Sequence, residues 1–176
     1  MTEPAENYVS PYHPGYFRAQ AFRVWGATVA IVAVWVAAIL LGPISRVGGW
    51  GIDPPIYTFF SYICHQLTER SFHLGAEPLA VCSRCFGVYF GLLAGLLFYP
   101  LWRRIEDVEP LPRIWLLLSM IPIAVDWSLT VFGIWENTHL SRFITGLILG
   151  AACATYIVPA LVEIRRNLAH RRRAAA

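Results

Sequence analysis

The run VWGATVAIVAVWVAAILL, residues 24–41, contains no charged side chain. A segment of about 20 mostly apolar residues is long enough to cross the hydrocarbon core of a bilayer as an α-helix. Three further stretches of this kind follow, at residues 79–101, 114–134 and 143–162. The chain has 176 residues, of which 57% are hydrophobic and 14% charged, and its mean hydropathy is +0.52. This composition excludes an ordinary soluble domain and predicts an all-α integral membrane protein with four transmembrane helices.

A fifth apolar stretch, IYTFFSYIC at residues 56–64, is too short to span a bilayer. Because irregular or half-spanning backbone at membrane depth must be covered by protein, we expect a short interfacial or re-entrant helix here. The first span could be mistaken for a signal peptide. Its apolar run is long for one, however, some polar residues precede it and no clear cleavage site follows, so we expect it to be retained.

These spans define the predicted domain organisation. Residues 1–23 form a cytoplasmic, disordered tail, because they are rich in Pro, Tyr and Glu and show no periodicity. Residues 24–163 form a single four-span membrane domain with an outer loop over residues 42–78. Residues 164–176 form a basic cytoplasmic tail, which we expect to contact anionic lipid rather than nucleic acid.

The orientation of the spans follows from the arginines, since the chain contains no lysine. Ten arginines flank the spans on one side: Arg18, Arg23, Arg103, Arg104, Arg113, Arg165, Arg166, Arg171, Arg172 and Arg173. The other side has Arg46, Arg70, Arg84 and Arg142. The positive-inside rule therefore predicts a multi-pass protein of the cell membrane with both termini in the cytoplasm.

In this topology the unusual polar side chains converge on the outer half of the bundle. Asp126 lies within the third span, where a carboxylate is expensive and normally has a partner or a task. It is either a catalytic group, acting with Arg142 and Gln66, or the partner of an ion pair with Arg84 or Arg142. Five glycines at four-residue spacing on the second and fourth spans predict close helix packing: Gly87, Gly91, Gly95, Gly146 and Gly150.

Three cysteines suggest a metal site at the same end. Cys82 and Cys85 have the spacing of a chelating pair, and Cys64 supplies a third thiolate. Either His65 or His73 could complete a Cys3His set suited to zinc. With four protein ligands the metal would be structural, and Asp126, Gln66, Asn137 and Arg142 would be left to form a binding pocket. With three ligands and a water it could hydrolyse a lipid-like, hydrophobic substrate with Asp126 as general base.

Other functions remain open at this point. A Cys-x-x-Cys pair at the outer start of a span is also the layout of a quinone-linked thiol-disulfide oxidoreductase, although only three cysteines face outward. Cys64 could instead form a structural disulfide with one member of the pair. A small ion or proton-coupled transporter would use Asp126 and would need a homo-oligomer. A membrane scaffold needs no chemistry at all, so whether the protein is an enzyme stays undecided.

The same residues carry a family resemblance. CHQ at Cys64–Gln66, Arg70, CSRCFGVYFG at Cys82–Gly91, Asp126, and NTHLSRFITG at Asn137–Gly146 together resemble the signature of a bacterial and archaeal membrane family, domain of unknown function 2085. The resemblance covers roughly residues 56–150. It implies a small multi-span membrane protein that shares these polar residues, and it implies no particular activity.

Overall fold

Four long helices contain the apolar runs. The computed structural model describes residues 14–174, in which these helices are α1 (Pro14–Gly48), α3 (Ser83–Trp102), α4 (Ile114–Val131) and α5 (His139–Ala174). Each has the length and composition to cross a membrane. The connection from α1 to α3 contains a short helix α2 (Asp53–Ser61), a 3-10 turn (Thr68–Arg70) and a hairpin of β1 (His73–Leu74) and β2 (Glu77–Pro78). The predicted all-α membrane fold with a short helix in the first loop is confirmed.

The helices differ from the predicted spans mainly at their ends. Residues 14–23, which the sequence placed in a disordered tail, belong to α1. Residues 1–13 of that predicted tail lie outside the described residues. Likewise α5 continues through most of the predicted basic tail, as far as Ala174. Hydropathy marks only where a helix can cross lipid, whereas a helix satisfies its own backbone hydrogen bonds and can continue into polar sequence.

The central helix pair is α3 with α5. A Cβ atom on Gly87 would overlap the backbone of Phe143, and one on Gly91 would overlap the backbone of Leu147. The approach is mutual, because glycines of α5 lie equally close to the backbone of α3; these are Gly146 against Arg84 and Gly150 against Val88. The close packing predicted from the glycine spacing is therefore confirmed, and it brings the N-terminal ends of both helices together.

Two hydrophobic clusters lie at opposite ends of the bundle. One contains Leu96, Tyr99 and Val158, and α1 is tied to this region by a hydrogen bond of 2.8 Å from Trp25 Nε1 to the Leu96 carbonyl. The other lies where α1 ends and α3 begins, which we call the cysteine end, and consists of Ile39, Phe60, Cys64, Leu79, Ala80 and Val81. This second cluster seats the loop that carries the first cysteine against the bundle.

Local signals fix the helix ends around the cysteine end. Two prolines follow Asp53 in the first turn of α2, where a missing N–H group is harmless. The N–H group of Ser141 donates to the hydroxyl of Thr138 at 3.1 Å and caps the start of α5. Just after α4, Gly133 has a φ of +66°, the left-handed conformation typical of a residue that ends a helix.

Candidate metal centre

Three thiols meet at the cysteine end. The sulfur atoms of Cys64, Cys82 and Cys85 all lie within 4.8 Å of one another. Cys82 occupies the N-cap position of α3 and Cys85 follows about one turn later, so the two side chains lie on the same side of the helix start. Cys64 comes from the loop after α2 and is only 6% exposed. The convergence of these three residues, separated by up to 21 positions, confirms the predicted cysteine cluster.

The loop bearing Cys64 is held by the side chain of Gln66. Its amide Nε2 donates hydrogen bonds of 2.8 Å to the carbonyls of Tyr57, in α2, and Ala80, just before α3. Gln66 also has a φ of +48°, an uncommon conformation for a residue other than glycine. The sequence predicts Gln66 as a catalytic or pocket residue. In the structure it joins the two segments that carry the cysteines.

The surroundings of Cys64 favour its thiolate. Hydrogen bonds from the thiols of Cys82 and Cys85, and from the backbone N–H groups of Cys82 and Gln66, lower the pKa of Cys64 well below its ordinary value, although burial opposes them. The N–H group of Cys82 lies 3.3 Å from the Cys64 sulfur. A thiolate is the form that binds metals and attacks disulfides, so this environment suits either chemistry.

The two histidines proposed as fourth ligand are placed elsewhere. Within the part of the chain that the structure describes, the group of converging ligand atoms contains the three cysteines and neither His65 nor His73. Both histidines are exposed. His65 follows a buried cysteine in the chain but is itself exposed, and His73 pairs with Pro78 in the hairpin. The fourth cysteine, Cys153 in α5, is also outside the cluster.

Beside the thiols, a polar network joins three elements. Arg84 in α3 forms an ion pair with Asp126 in α4. The Asp126 carboxylate also accepts a hydrogen bond of 3.0 Å from the side-chain amide of Asn137, whose oxygen accepts one of 2.6 Å from Arg142 Nε. The Asp126 side chain is 10% exposed. The interpretation of Asp126 as the ion-pair partner of Arg84 is confirmed by this geometry.

A cavity of about 220 Å³ lies between the thiols and this network. Its lining includes Cys82, Cys85, Arg70, Arg84, Asn137 and Arg142. The wall formed by α4, with Trp127 and Thr130, was not predicted from the sequence. Thr130 lies four residues after Asp126, so the helical spacing was the signal that could have identified it.

The model of one protein family matches residues 64–156, which include the three clustered cysteines, Asp126 and Arg142. The chain belongs to this family, the predicted membrane proteins of domain of unknown function 2085. An uncharacterized protein of Methanocaldococcus jannaschii is 40% identical over 110 residues, 62% of this chain and 70% of the relative. An uncharacterized protein of Methanothermobacter thermautotrophicus is 35% identical over 97 residues, 54% of this chain and 84% of the relative. No solved structure matches the chain.

The size of the thiol triangle is compatible with a metal ion. Zinc binds thiolates at about 2.3 Å with tetrahedral angles, which places neighbouring sulfur atoms about 3.8 Å apart. The three sulfurs already lie within 4.8 Å of one another, so binding needs only small side-chain adjustments. The cysteine cluster of this family member could therefore hold a metal ion.

Proposed function

We propose that the protein is a membrane metalloprotein that binds a zinc-type ion through the thiolates of Cys64, Cys82 and Cys85. The observation that supports this most directly is the convergence of the three sulfur atoms within 4.8 Å. Thiolates are soft ligands that favour zinc over magnesium or calcium.

We further propose that the fourth position of the metal is open. Structural zinc sites have four protein ligands, whereas catalytic sites have three and keep one position for water or substrate. Cys82 and Cys85 line the cavity of about 220 Å³, whereas Cys64 is buried and is not part of its lining. An ion held by the three sulfurs would thus present its free side to the cavity, where it could polarise a substrate or activate a water.

The neighbouring polar residues then have distinct roles. Arg142 and Asn137 line the cavity and can orient a bound group. Asp126 already accepts hydrogen bonds from Arg84 and Asn137, so it acts as a positioning residue. The cavity lies among the ends of membrane-spanning helices, which favours a lipid-like substrate. Gln66 supports the metal indirectly, because it joins the segments on both sides of the cluster.

Thiol-disulfide exchange is the second candidate, because the three neighbouring thiols are free and Cys64 favours its thiolate. In that reaction two thiols would lose two electrons and two protons to a quinone, forming one disulfide and a quinol. The third thiolate could then attack this disulfide, forming a new disulfide with one of its sulfurs and releasing the other as a thiolate.

Elemental analysis beside a thiol count separates the two functions. Protein purified without chelator should contain about one zinc per chain, and Cys82→Ser should lose it. Cys153→Ser is the matched control, since Cys153 is outside the cluster, and it should retain the metal. A metal-free protein with a disulfide in the cluster, restored by quinone after reduction, would reject the metal site and support the redox function.

A further inference from the structure

The cavity beside the thiols contains more positive than negative charge. Arg70 from the 3-10 turn, Arg84 from α3 and Arg142 from α5 all line it. The carboxylate that faces them from α4 is Asp126, which pairs with Arg84. Two guanidinium groups, those of Arg70 and Arg142, are therefore left without a carboxylate partner in the described part of the chain.

Several donors of these arginines remain without acceptors. The guanidinium of Arg70 makes no hydrogen bond to any described residue, and Arg142 uses only its Nε, toward Asn137. The Nε of Arg84 is buried and has no partner among the described residues. A buried donor without an acceptor is unfavourable, and a guanidinium presents a planar fork that matches phosphate oxygens. The cavity thus offers the donors of an anion site.

Two helix N-termini add to the positive electrostatic potential of the cavity. The first turns of α3 and α5 both border the cavity, through Arg84 and Cys85 in one helix and Arg142 in the other. The first turn of neither helix contains an acidic residue. The partial positive charge of a helix N-terminus stabilises anions, so both macrodipoles reinforce the arginines.

An apolar groove adjoins this charged cavity. It has a volume of about 250 Å³, and Arg84 and Trp127 line both spaces. Its other walls are apolar side chains of α4 and α5: Met120, Ile123, Ala124 and Leu149. Because Met120 lies about two helical turns before Trp127, the groove extends from the arginines toward the middle of the spans. A ligand with a charged end and an apolar chain would fill both spaces.

We propose that the cavity binds the phosphate group of an anionic amphiphile whose acyl chain lies in the adjoining groove. The inference rests on the proposed function in taking this cavity as the substrate site, and it names the class of that substrate. Binding itself depends on the arginines and the groove, and it does not require the metal. Free inorganic phosphate has the same headgroup chemistry but would occupy the cavity alone.

The test measures binding to the full-length protein in neutral detergent by native mass spectrometry. The probes are a short-chain phosphatidic acid and a phosphatidylcholine with the same chains. Phosphatidic acid should bind about tenfold more tightly than phosphatidylcholine, or better. Arg70→Gln and Arg142→Gln should each weaken the binding of phosphatidic acid about tenfold, since each removes a charge-assisted hydrogen-bond donor. Arg70 is exposed in a loop, so its variant should fold normally. Arg104→Gln, at the opposite end of the bundle, should bind like the unmodified protein.

The groove and the metal are tested separately. Ala124→Phe should fill the groove and weaken the binding of phosphatidic acid. Inorganic phosphate at equal concentration should not displace the lipid. Displacement by inorganic phosphate would overturn the assignment of the groove. Equal binding of the two lipids, or equal losses in Arg142→Gln and Arg104→Gln, would overturn the anion site. Cys64 belongs to the thiol cluster but does not line the cavity. In Cys64→Ser, retained lipid binding without metal would support the anion site even if the metal proposal fails.

Discussion

Asp126 links three parts of the chain through one carboxylate. Asp126 belongs to α4, and its carboxylate accepts hydrogen bonds from Arg84 in α3 and from Asn137 in the segment before α5. Its side chain is 10% exposed and that of Arg84 is 25% exposed, so neither charge is fully hydrated. Removing one partner of such a pair leaves the other without compensation in a poorly solvated place.

We therefore expect Asp126→Asn to lower the free energy of unfolding in detergent by about 1–3 kcal/mol, less than for a completely buried pair. Chemical or thermal unfolding followed by circular dichroism measures it. The control is Glu106→Gln, which breaks an ion pair with Arg104, whose side chain is 77% exposed, and should change stability by less than about 1 kcal/mol. Equal effects of the two substitutions would show that the Arg84–Asp126 pair is not a special contact.

Gln66 illustrates a residue that supports the cysteines without contributing a ligand. Gln66→Ala removes both hydrogen bonds that join the Tyr57 and Ala80 carbonyls through one amide. We expect zinc affinity to fall about 10–100-fold, as for other residues that orient ligands, measured by competition with a chelator of known affinity. His65→Ala, next to it and exposed, should leave the affinity unchanged. If the histidine variant weakens binding as much, His65 is a ligand and the three-thiolate set is wrong.

The sequence predicted the cysteines better than the residues around them. The i, i+3 spacing places Cys82 and Cys85 on one helix face, and local geometry is readable from sequence. The positions of His65 and His73 relative to the thiols could not be predicted in this way, because they depend on how a loop turns. That loop is shaped by a left-handed residue at Gln66 and a tight hairpin turn at Gly75, whose φ is +65°. Such turns have only weak signatures in a single sequence.

Among the helices, the contact between α3 and α5 brings together the residues that line the cavity. Glycines on both helices allow the backbones to touch, so the first turns of the two helices, with Arg84 and Arg142, lie side by side. The apolar runs and the glycine spacing predicted these helices and their contact. The ends of α1 and α5 were not predicted, because hydropathy reports lipid contact rather than helix length.

Gly91→Ala should destabilise the bundle by about 1–3 kcal/mol, because the added methyl group would meet the backbone of Leu147 in a closely packed interface. The unfolding midpoint in detergent reports the change. The matched control is Gly26→Ala in α1, where no described atom beyond the adjacent backbone of its own helix lies within 4 Å of the added carbon and where alanine favours the helix slightly. A loss of stability in the α1 variant that equals the loss in the α3 variant would contradict the glycine contact.

For the whole molecule, the orientation in the membrane remains a prediction from charge. Ten of the 14 arginines belong to the end opposite the cysteines, which places that end in the cytoplasm by the positive-inside rule. Fusions at the C-terminus test it: a fluorescent protein that matures only in the cytoplasm should be bright, and alkaline phosphatase should be inactive. An active phosphatase would show that the orientation is the reverse of the predicted one and that the cysteine cluster faces the cytoplasm.

In the proposed site, three thiolates hold a metal ion whose fourth position opens to the cavity. X-ray absorption at the zinc edge of the purified protein tests it most directly, because it counts the ligands by type and distance. We expect three sulfur neighbours at about 2.3 Å and one oxygen or nitrogen neighbour at about 2.0 Å, without the outer scattering of an imidazole ring. Imidazole scattering would restore the Cys3His site. Protein without zinc, purified with its thiols reduced, would contradict the claim altogether.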